Sequence, residues 1–266
     1  MKKIDLKYDE VVGLINSGIS VNSISKRYTC SNAPVYRVLK EHNFKTNGQI
    51  HQEEIQQIKN TNIETWLKGA LIGTILGDGW LVKKVTGTQF YVCHSFKQTE
   101  YLNFKFQLFK PIITMVSPYI NEKRQRTEIW STTHSQLDEL YYEVYGTGKR
   151  RVTKKLLQDL TLLGFALWYM DDGSYGGDYN LYTYALPLED QKLIREMLRR
   201  KFDIWTSIVR HKTVTPHQYY LRICARSFYQ FEKLVGPFIN MFQCMKHKYG
   251  AKRIKFPQRL NAEHLL

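Results

Sequence analysis

The chain has 266 residues, of which 43% are hydrophobic, and its 39 Lys and Arg against 24 Asp and Glu give a net charge of +15. This composition supports a sizeable core and excludes a wholly disordered chain, and no apolar stretch reaches the roughly 20 residues of a membrane helix. The charged MKKIDLKYDE start and four scattered Cys residues indicate an intracellular, cytoplasmic protein without a signal peptide, zinc ligand set or disulfide framework. The positive charge predicts a polyanionic partner and no membrane, with a merely basic enzyme of another class as the alternative.

Residues 1–48 have the helix pattern of a small DNA-binding domain. Two helices are predicted over 9–17 and 21–28, and Pro34 fits the first turn of a third. The predicted DNA contacts on the outward face of the third helix are Tyr36, Arg37 and Lys40. The segment resembles the helix-turn-helix of resolvases and of many phage proteins, in which the last helix enters the major groove. A three-helix packing module without DNA contacts is the alternative.

A polar segment separates this domain from the rest of the chain. Residues 49–62 are rich in Gln and Asn and contain no aromatic residue, which is typical of a linker that is helical in part. The remaining sequence divides into two similar segments, 63–155 and 156–266. We treat these as two repeats of one structural module.

Each repeat opens with an apolar helical run that stops at an acidic residue followed by Gly, at Asp78 and, 94 residues later, at Asp172. Further elements then follow in the same order, and a basic cluster closes each repeat. The predicted helices are 100–116, 135–145, 189–201 and 227–235, and the predicted strands are 89–96, 128–134, 180–185, 207–212 and 219–224. We therefore predict an α+β fold of two αββαββα modules about a pseudo-twofold axis, plus the small all-α N-terminal domain.

Gly69, Gly73 and Gly77 leave one face of the first apolar helix without side chains, so another helix can approach closely. Packing the two apolar helices side by side would bring Asp78 and Asp172 together at their ends. Two ionised carboxylates repel each other unless cations lie between them, and Mg²⁺ prefers such oxygen ligands. A plain helix C-cap would explain one copy of the pattern, whereas its duplication favours a metal site.

The segments LIGTILGDG (71–79) and FALWYMDDG (165–173) resemble the paired motifs of single-chain LAGLIDADG homing endonucleases, and the likeness covers about residues 63–249. The resemblance implies two saddle-shaped antiparallel sheets that lie along the major groove. It also implies that the acid before each final Gly binds Mg²⁺, with Mn²⁺ as a substitute, helped by the main chain of the residue before it. The implied metal-binding residues are Asp78, Asp172, Gly77 and Asp171.

The same family places a cation late in each repeat and a polar residue on the first sheet. The matching cations are Arg150, with Lys149 as an alternative, and Lys248. Lys97 matches the polar position, and Tyr184 is its weaker counterpart in the second repeat. The implied catalytic residues are therefore Asp78, Asp172, Lys97, Arg150 and Lys248.

The predicted strands supply the residues expected to read DNA. Side chains alternate along a strand, so every second residue can face the groove, and the sequence leaves open which set does so. The candidates are Lys83, Gln89, Tyr91 and Cys93, or their alternates, in the first repeat, and Arg210, Lys212, Tyr220 and Arg222 in the second. His94 and His134, also on predicted strands, are interpreted as groove-facing or internally satisfied polar residues, not as ligands.

These observations predict a homing endonuclease, a site-specific enzyme that cuts both strands of DNA by metal-assisted phosphodiester hydrolysis. Its partner would be double-stranded DNA with a long, asymmetric target site, and it would act as a monomer. An inactive or weakly active nucleic-acid binder of the same fold, either an intron maturase or a transcription regulator, is one alternative. An enzyme that nicks one strand, because Lys97 and Tyr184 differ, is another.

Overall fold

The computed structural model describes residues 6–211 and 218–250. The chain divides into two compact units, residues 1–57 and 58–266, each with its own hydrophobic core. No helix in the described ranges has the length and apolar character needed to cross a membrane.

The first unit contains the three expected helices, α1 (Tyr8–Asn16), α2 (Val21–Arg27) and α3 (Asn32–Glu41). They form because each presents a short apolar stripe that the other two cover. The buried side chains of this small core are Leu6, Val11, Ile15, Ile24, Val35 and Leu39. The polar face of α3 is left exposed.

The polar segment between the two units is a helix, α4 (Asn47–Asn60), in which no residue is buried. Gln, Glu and Lys have good helix propensity, which favours a helix even without an apolar face to pack. Only Ile58, near its end, packs against the core of the second unit.

The first repeat of the second unit contains three helices and four strands. They are α5 (Thr65–Leu76), β1 (Trp80–Lys84), β2 (Gly87–Ser95), α6 (Thr99–Leu108), β3 (Tyr119–Asn121), β4 (Arg126–Trp130) and α7 (Ser135–Tyr145). The expected helix over 100–116 ends at Leu108 because Pro111, in the following 3-10 turn, cannot continue it.

A short helix, α8 (Lys154–Asp159), leads into the second repeat, which has the same element order. Its elements are α9 (Leu162–Asp172), β5 (Gly173–Tyr175), β6 (Tyr179–Leu181), α10 (Leu188–Phe202), β7 (Thr206–Arg210), β8 (Tyr219–Ile223) and α11 (Phe228–Asn240). The strand expected over 180–185 is shorter, because the chain turns where the Leu186 N–H donates to the Thr183 carbonyl.

The two repeats form two four-stranded antiparallel sheets with matching strand orders, β1-β2-β4-β3 and β5-β6-β8-β7. In both sheets the strand that follows the motif helix occupies one edge and pairs with the next strand. This agreement confirms the predicted α+β fold of tandem αββαββα modules. The largest core of the chain lies between the sheets and their helices and includes both motif helices.

The motif helices α5 and α9 pack backbone against backbone. A methyl group placed on Gly73 would lie 1.8 Å from the carbonyl oxygen of Gly164, and one placed on Gly164 would lie 2.0 Å from the carbonyl oxygen of Gly69. Neither distance can accommodate a side chain, so these three glycines permit the close approach. The glycine stripe therefore has the helix-packing role expected from the sequence.

Candidate active site at the ends of the motif helices

The two motif aspartates lie at the adjoining ends of α5 and α9. Asp78 follows Gly77, the C-cap of α5, and Asp172 is the last residue of α9. Burial raises the pKa of the Asp172 carboxyl to about 7, and the charges of Asp171 and Asp78 add to this increase. The Asp78 carboxylate is 43% exposed, and partial burial and then the charge of Asp171 raise its pKa. The fold thus brings the negative charges of Asp78, Asp171 and Asp172 together at the ends of α5 and α9.

Two cations cap the same helix ends. The Arg150 guanidinium donates to the carbonyl oxygens of Leu76 and Gly77 at 3.3 and 3.4 Å, and also to that of Gly79 at 3.3 Å. The Lys248 ammonium donates to the carbonyl oxygens of Met170 and Asp171, both at 2.6 Å. Each satisfies carbonyls that the helix leaves without a partner, at the negative end of the helix dipole.

The side chain of Asp171 is fully buried and has partners of its own. Lys105 donates to both carboxylate oxygens, at 2.7 and 2.8 Å. The Tyr101 hydroxyl donates to Oδ1 at 2.9 Å and the main-chain N–H of Asp78 donates to Oδ2 at 3.2 Å. Gly77 makes room for this carboxylate, because a methyl group on Gly77 would lie 2.5 Å from the Asp171 Cβ.

His94 connects this buried pair to the exposed aspartate. Its Nε2 lies 3.0 Å from the Lys105 Nζ, and its Nδ1 lies 3.5 Å from the Asp78 Oδ2. Burial, followed by the positive charge of Lys105, lowers the pKa of His94 to about 3, so its ring is neutral at physiological pH. Asp78, His94 and Asp171 bring one potential ligand atom each within 4.8 Å of one another.

Sequence patterns alone do not identify Lys105 or Tyr101 as part of the site, and they favour a non-ligand role for His94. A signal for Lys105 is present, because Tyr101, Leu102, Lys105 and Phe106 share the apolar face of α6 by their spacing. A lysine on such a face needs a buried anion as its partner. The identity of that anion, which lies 66 residues later in the chain, follows only from the fold.

The oxygen donors at the helix ends fit a hard divalent cation. The Asp78 and Asp172 carboxylates form no side-chain ion pair with Lys or Arg among the described residues, and their raised pKa values reflect negative charge that a cation would relieve. The carbonyl oxygens of Gly77 and Asp171 accept from Arg150 and Lys248, and each retains a second lone pair. The Asp171 carboxylate, in contrast, is already neutralised by Lys105.

The other two positions that the resemblance indicates, Lys97 and Tyr184, make none of the contacts described above. Lys97 is exposed in the 3-10 turn Phe96–Gln98, which follows β2, and is not on the sheet itself. Tyr184 stacks on Tyr182 with ring centroids 5.2 Å apart. Their roles therefore stay predictions from the resemblance.

The strand alternation of β2 identifies the face of the first sheet that lies away from the helices. Thr88, Phe90, Val92 and His94 are buried toward the helices, so the partly exposed residues between them face the other way. The predicted DNA contacts on this outer face are Gln89, Tyr91 and Cys93 in the first sheet and Tyr220 and Arg222 in the second.

Two of the predicted strand contacts, Lys83 and Arg210, lie on the opposite set of strand positions from the other candidates, and their contact with DNA stays a prediction. Lys83 pairs with Thr88 across the β1–β2 ladder and donates to Asp138 of α7 at 2.5 Å, so it lies on the helix side. The alternation of β7 likewise places Arg210 with the helix-facing Thr206. The side of the sheet depends on register in both cases, since a shift of one residue moves every strand side chain to the opposite face. Lys212 lies outside the described residues.

In the first unit, the three predicted contacts share the exposed face of α3. Tyr36 is 44% exposed, and Arg37 and Lys40 are exposed beside it. Val35 and Leu39 hold the opposite face against the core of the unit. The helix therefore presents a polar, basic surface, as a DNA-recognition helix requires.

Two family models match the chain. Residues 68–231, more than half of the chain, match the LAGLIDADG DNA endonuclease family. Residues 2–42 match the helix-turn-helix domain of resolvase. The structure of the homing endonuclease I-WcaI bound to its DNA recognition sequence has a TM-score of 0.62 at 21% identity, and the match covers 77% of this chain and 94% of that one. At this identity the likeness is one of fold.

Two kinds of curated relative also match. The cytochrome b mRNA maturase bI2 of Debaryomyces hansenii is 29% identical over 192 residues, which is 68% of this chain and 72% of that protein. The RecA protein of Mycolicibacterium flavescens is 36% identical over 109 residues, or 40% of this chain. The matched segment spans only about a quarter of that RecA protein, at 25% of its length.

Proposed function

Because the chain belongs to the LAGLIDADG DNA endonuclease family, we propose that it is a site-specific endonuclease that cuts both strands of DNA with divalent cations held by Asp78 and Asp172. The observation that carries this proposal is that the two aspartates lie at the adjoining ends of α5 and α9, where the charge of Asp78 contributes to the raised pKa of Asp172. Burial and the neighbouring acids raise both pKa values, which is the electrostatic environment that a cation relieves.

Mg²⁺ is the proposed cofactor, with Mn²⁺ as a substitute, because the donors are carboxylate and carbonyl oxygens. Bound there, the cations would act as Lewis acids toward the scissile phosphate and the attacking water. Arg150 and Lys248 hold the last carbonyls of the two motif helices and thereby fix the positions of both aspartates. Their positive charge also offsets the negative charge that develops on the phosphate.

We assign duplex DNA as the substrate. The outer faces of the two sheets would lie along the major groove and supply base contacts through Gln89, Tyr91, Tyr220 and Arg222. The basic face of α3 would add further contacts with DNA. Since the two sheets differ in their outward residues, the target site is long and asymmetric, and one chain acting as a monomer covers it.

A second candidate function has support from one relative. The similarity to a cytochrome b mRNA maturase favours a nucleic-acid binder that assists RNA processing without cutting DNA. A transcription regulator is the other form of this alternative, favoured by the helix-turn-helix unit. The presence of both motif aspartates favours the nuclease, because the alternative functions have no need of two repelling carboxylates.

The test is cleavage of a randomised plasmid library by the full chain in Mg²⁺, with adapter ligation and sequencing of the new ends. The nuclease predicts linear products whose ends define one recurrent site. Nicked circles without linear product would indicate a single-strand enzyme. Intact plasmids in both Mg²⁺ and Mn²⁺ would favour the maturase or regulator.

A further inference from the structure

The first half of the site contains a chain of buried polar groups that ends at the Asp78 carboxylate. The Lys105 ammonium has three hydrogens and three acceptors within reach, namely both oxygens of Asp171 and the Nε2 of His94. All three side chains are almost completely buried, with exposures of 0% for Lys105 and Asp171 and 1% for His94. Their arrangement is therefore set by their mutual contacts and not by solvent.

This arrangement fixes the position of the proton on His94. A lysine ammonium can only donate, so the Nε2 that lies 3.0 Å from the Lys105 Nζ must accept. The ring proton is then on Nδ1, the atom that lies 3.5 Å from the Asp78 Oδ2. A protonated Nδ1 cannot bind a metal ion, but it can donate a hydrogen bond; the Asp78 carboxylate lies 3.5 Å from it, and the Gln98 side chain is a second hydrogen-bond partner of the ring.

The second half of the site has no such chain among the described residues. Trp80 and Ser174 are each two residues after a motif aspartate, and they pair with Tyr91 and Asn180. His94 lies three residues after Tyr91, and Thr183 lies three residues after Asn180. Thr183 is therefore the equivalent of His94 in the second repeat.

The positions in helices α6 and α10 identify the equivalent of Lys105 in the second repeat. Lys105 and Ile194 are each six residues from the starts of α6 and α10, and both side chains are completely buried. The motif position of Asp171 is occupied in the first motif by Gly77. The glycine and the isoleucine have no polar side-chain atoms, and the Thr183 hydroxyl has no hydrogen-bond partner among the described residues, so these three residues form no polar chain to Asp172.

We propose that His94 is a positioning residue, held in its Nδ1–H tautomer by Lys105 and Asp171, that orients the Asp78 carboxylate and makes the two halves of the nuclease site unequal. This proposal rests on the proposed nuclease function. A carboxylate oriented in advance by a fixed donor binds its cation in a defined geometry, and removal of such supporting groups typically costs about 10–100-fold in affinity or activity. Asp172 has no equivalent donor among the described residues.

The tautomer is tested first, on the metal-free full chain. The ¹⁵N chemical shifts of the His94 imidazole, assigned by comparison with His94→Gln, distinguish a protonated Nδ1 from a protonated Nε2. We expect the Nδ1–H form in the wild type. An Nε2–H form would overturn the proposal, because Lys105 could not then donate to that atom. This measurement requires no cleavage activity.

Strand-resolved cleavage of the target site tests the consequence. His94→Asn retains an amide N–H near the position of Nδ1, whereas His94→Gln places its amide near Nε2, toward Lys105. We expect His94→Gln and Lys105→Met to slow hydrolysis of one and the same strand by about tenfold or more, with the other strand within about twofold. His94→Asn should largely retain the rate, and Thr183→Val, at the equivalent place in the second repeat, should change neither strand.

Equal slowing of both strands by His94→Gln, or no effect on either, would overturn the proposal. DNA affinity in Ca²⁺ and the midpoint of thermal unfolding check that each variant is folded. If Lys105→Met does not fold, His94→Gln and the tautomer measurement still decide the question. A wild type that cuts neither strand would contradict the proposed nuclease function, while the ¹⁵N measurement would still decide whether the Lys105–His94 contact exists.

Discussion

Arg150 and Lys248 occupy equivalent places in the two repeats. Each donates to the carbonyls of the two residues that precede a motif aspartate, Leu76 and Gly77 for Arg150, and Met170 and Asp171 for Lys248. The segments around Arg150 and Lys248 are only loosely similar in sequence, yet both cations make the same contact with the end of a motif helix. The pseudo-twofold relationship thus extends from the sheets to the hydrogen bonds around both aspartates.

Removal of the Lys248 ammonium should destabilise the second unit. Lys248 is buried, which lowers the pKa of its ammonium, and both acceptors would be left without their donor in Lys248→Met. We expect the free energy of unfolding to fall by about 1–3 kcal/mol, measured by urea denaturation. Lys246→Met, at an exposed lysine two residues earlier, is the matched control and should change it by less than about 0.5 kcal/mol. Equal effects of the two substitutions would contradict the capping role.

The close packing of α5 and α9 predicts strong intolerance at Gly73. In Gly73→Ala the new methyl group would lie 1.8 Å from a backbone oxygen of the other helix, so the helices must separate. We expect a fall in unfolding free energy of more than about 3 kcal/mol or no folded protein. Gly176→Ala, in the same unit with no atom within 4 Å of the new methyl group, should be nearly neutral. A thermal unfolding midpoint for Gly73→Ala equal to that of the wild type would show that the helices pack differently.

Asp172 should make the metal-free protein less stable as the pH rises. Its pKa is raised from 3.8 to about 7 in the folded chain, so the folded state binds the proton more tightly, and stability falls between pH 4 and pH 7. In EDTA at pH 8, Asp172→Asn should be more stable than the wild type by about 2 kcal/mol, after allowance for solvent screening of a partly exposed group.

At pH 3 the difference should largely disappear, since the carboxyl is then mostly protonated in both the folded and the unfolded state. Addition of Mg²⁺ at pH 8 should stabilise the wild type more than Asp172→Asn. Urea denaturation at the two pH values measures both effects. An Asp172→Asn protein that is less stable than the wild type at pH 8 in EDTA would mean that the carboxylate has a compensating partner.

The exposed face of α3 predicts a contribution to DNA affinity without one to chemistry. Replacing Arg37 and Lys40 by Ala should weaken binding to the target and reduce the slope of log K against log salt by about 2, one unit for each phosphate that the variant no longer neutralises. The cleavage rate at saturating protein should not change. Lys192→Ala combined with Lys233→Ala, on exposed positions of α10 and α11, matches the change in charge and should leave the slope as it is. Similar slopes for all three proteins would exclude a DNA contact by α3.

The features that depend on contiguous residues could be predicted from the sequence. The apolar runs, the glycine stripe and the acid before each final Gly are contiguous, so α5, α9, Asp78 and Asp172 could be predicted, and their duplication indicated the pseudo-twofold fold. The matching strand orders confirm that fold.

The features that depend on tertiary register could not be predicted. Lys105 and Asp171 are 66 residues apart, and nothing near either residue identifies the other as its partner. Which way Lys83 points could not be predicted either, because alternation alone does not say which set of side chains faces the helices. The pairing of Lys83 with Thr88 and its contact with Asp138 decide this, and both depend on the hairpin and on the packing of α7.

The role of the two motif aspartates is tested by strand-resolved cleavage by Asp78→Asn, Asp172→Asn and the double variant, with DNA binding measured separately in Ca²⁺. Asp203→Asn is the matched control, because this residue is the C-cap that follows α10 and has a left-handed conformation that asparagine also adopts. We predict that the control cuts both strands, that neither single variant makes double-strand breaks, that the double variant cuts nothing, and that all of them bind DNA. Double-strand cleavage by the double variant at the wild-type rate would contradict the central claim that these two carboxylates hold the catalytic cations.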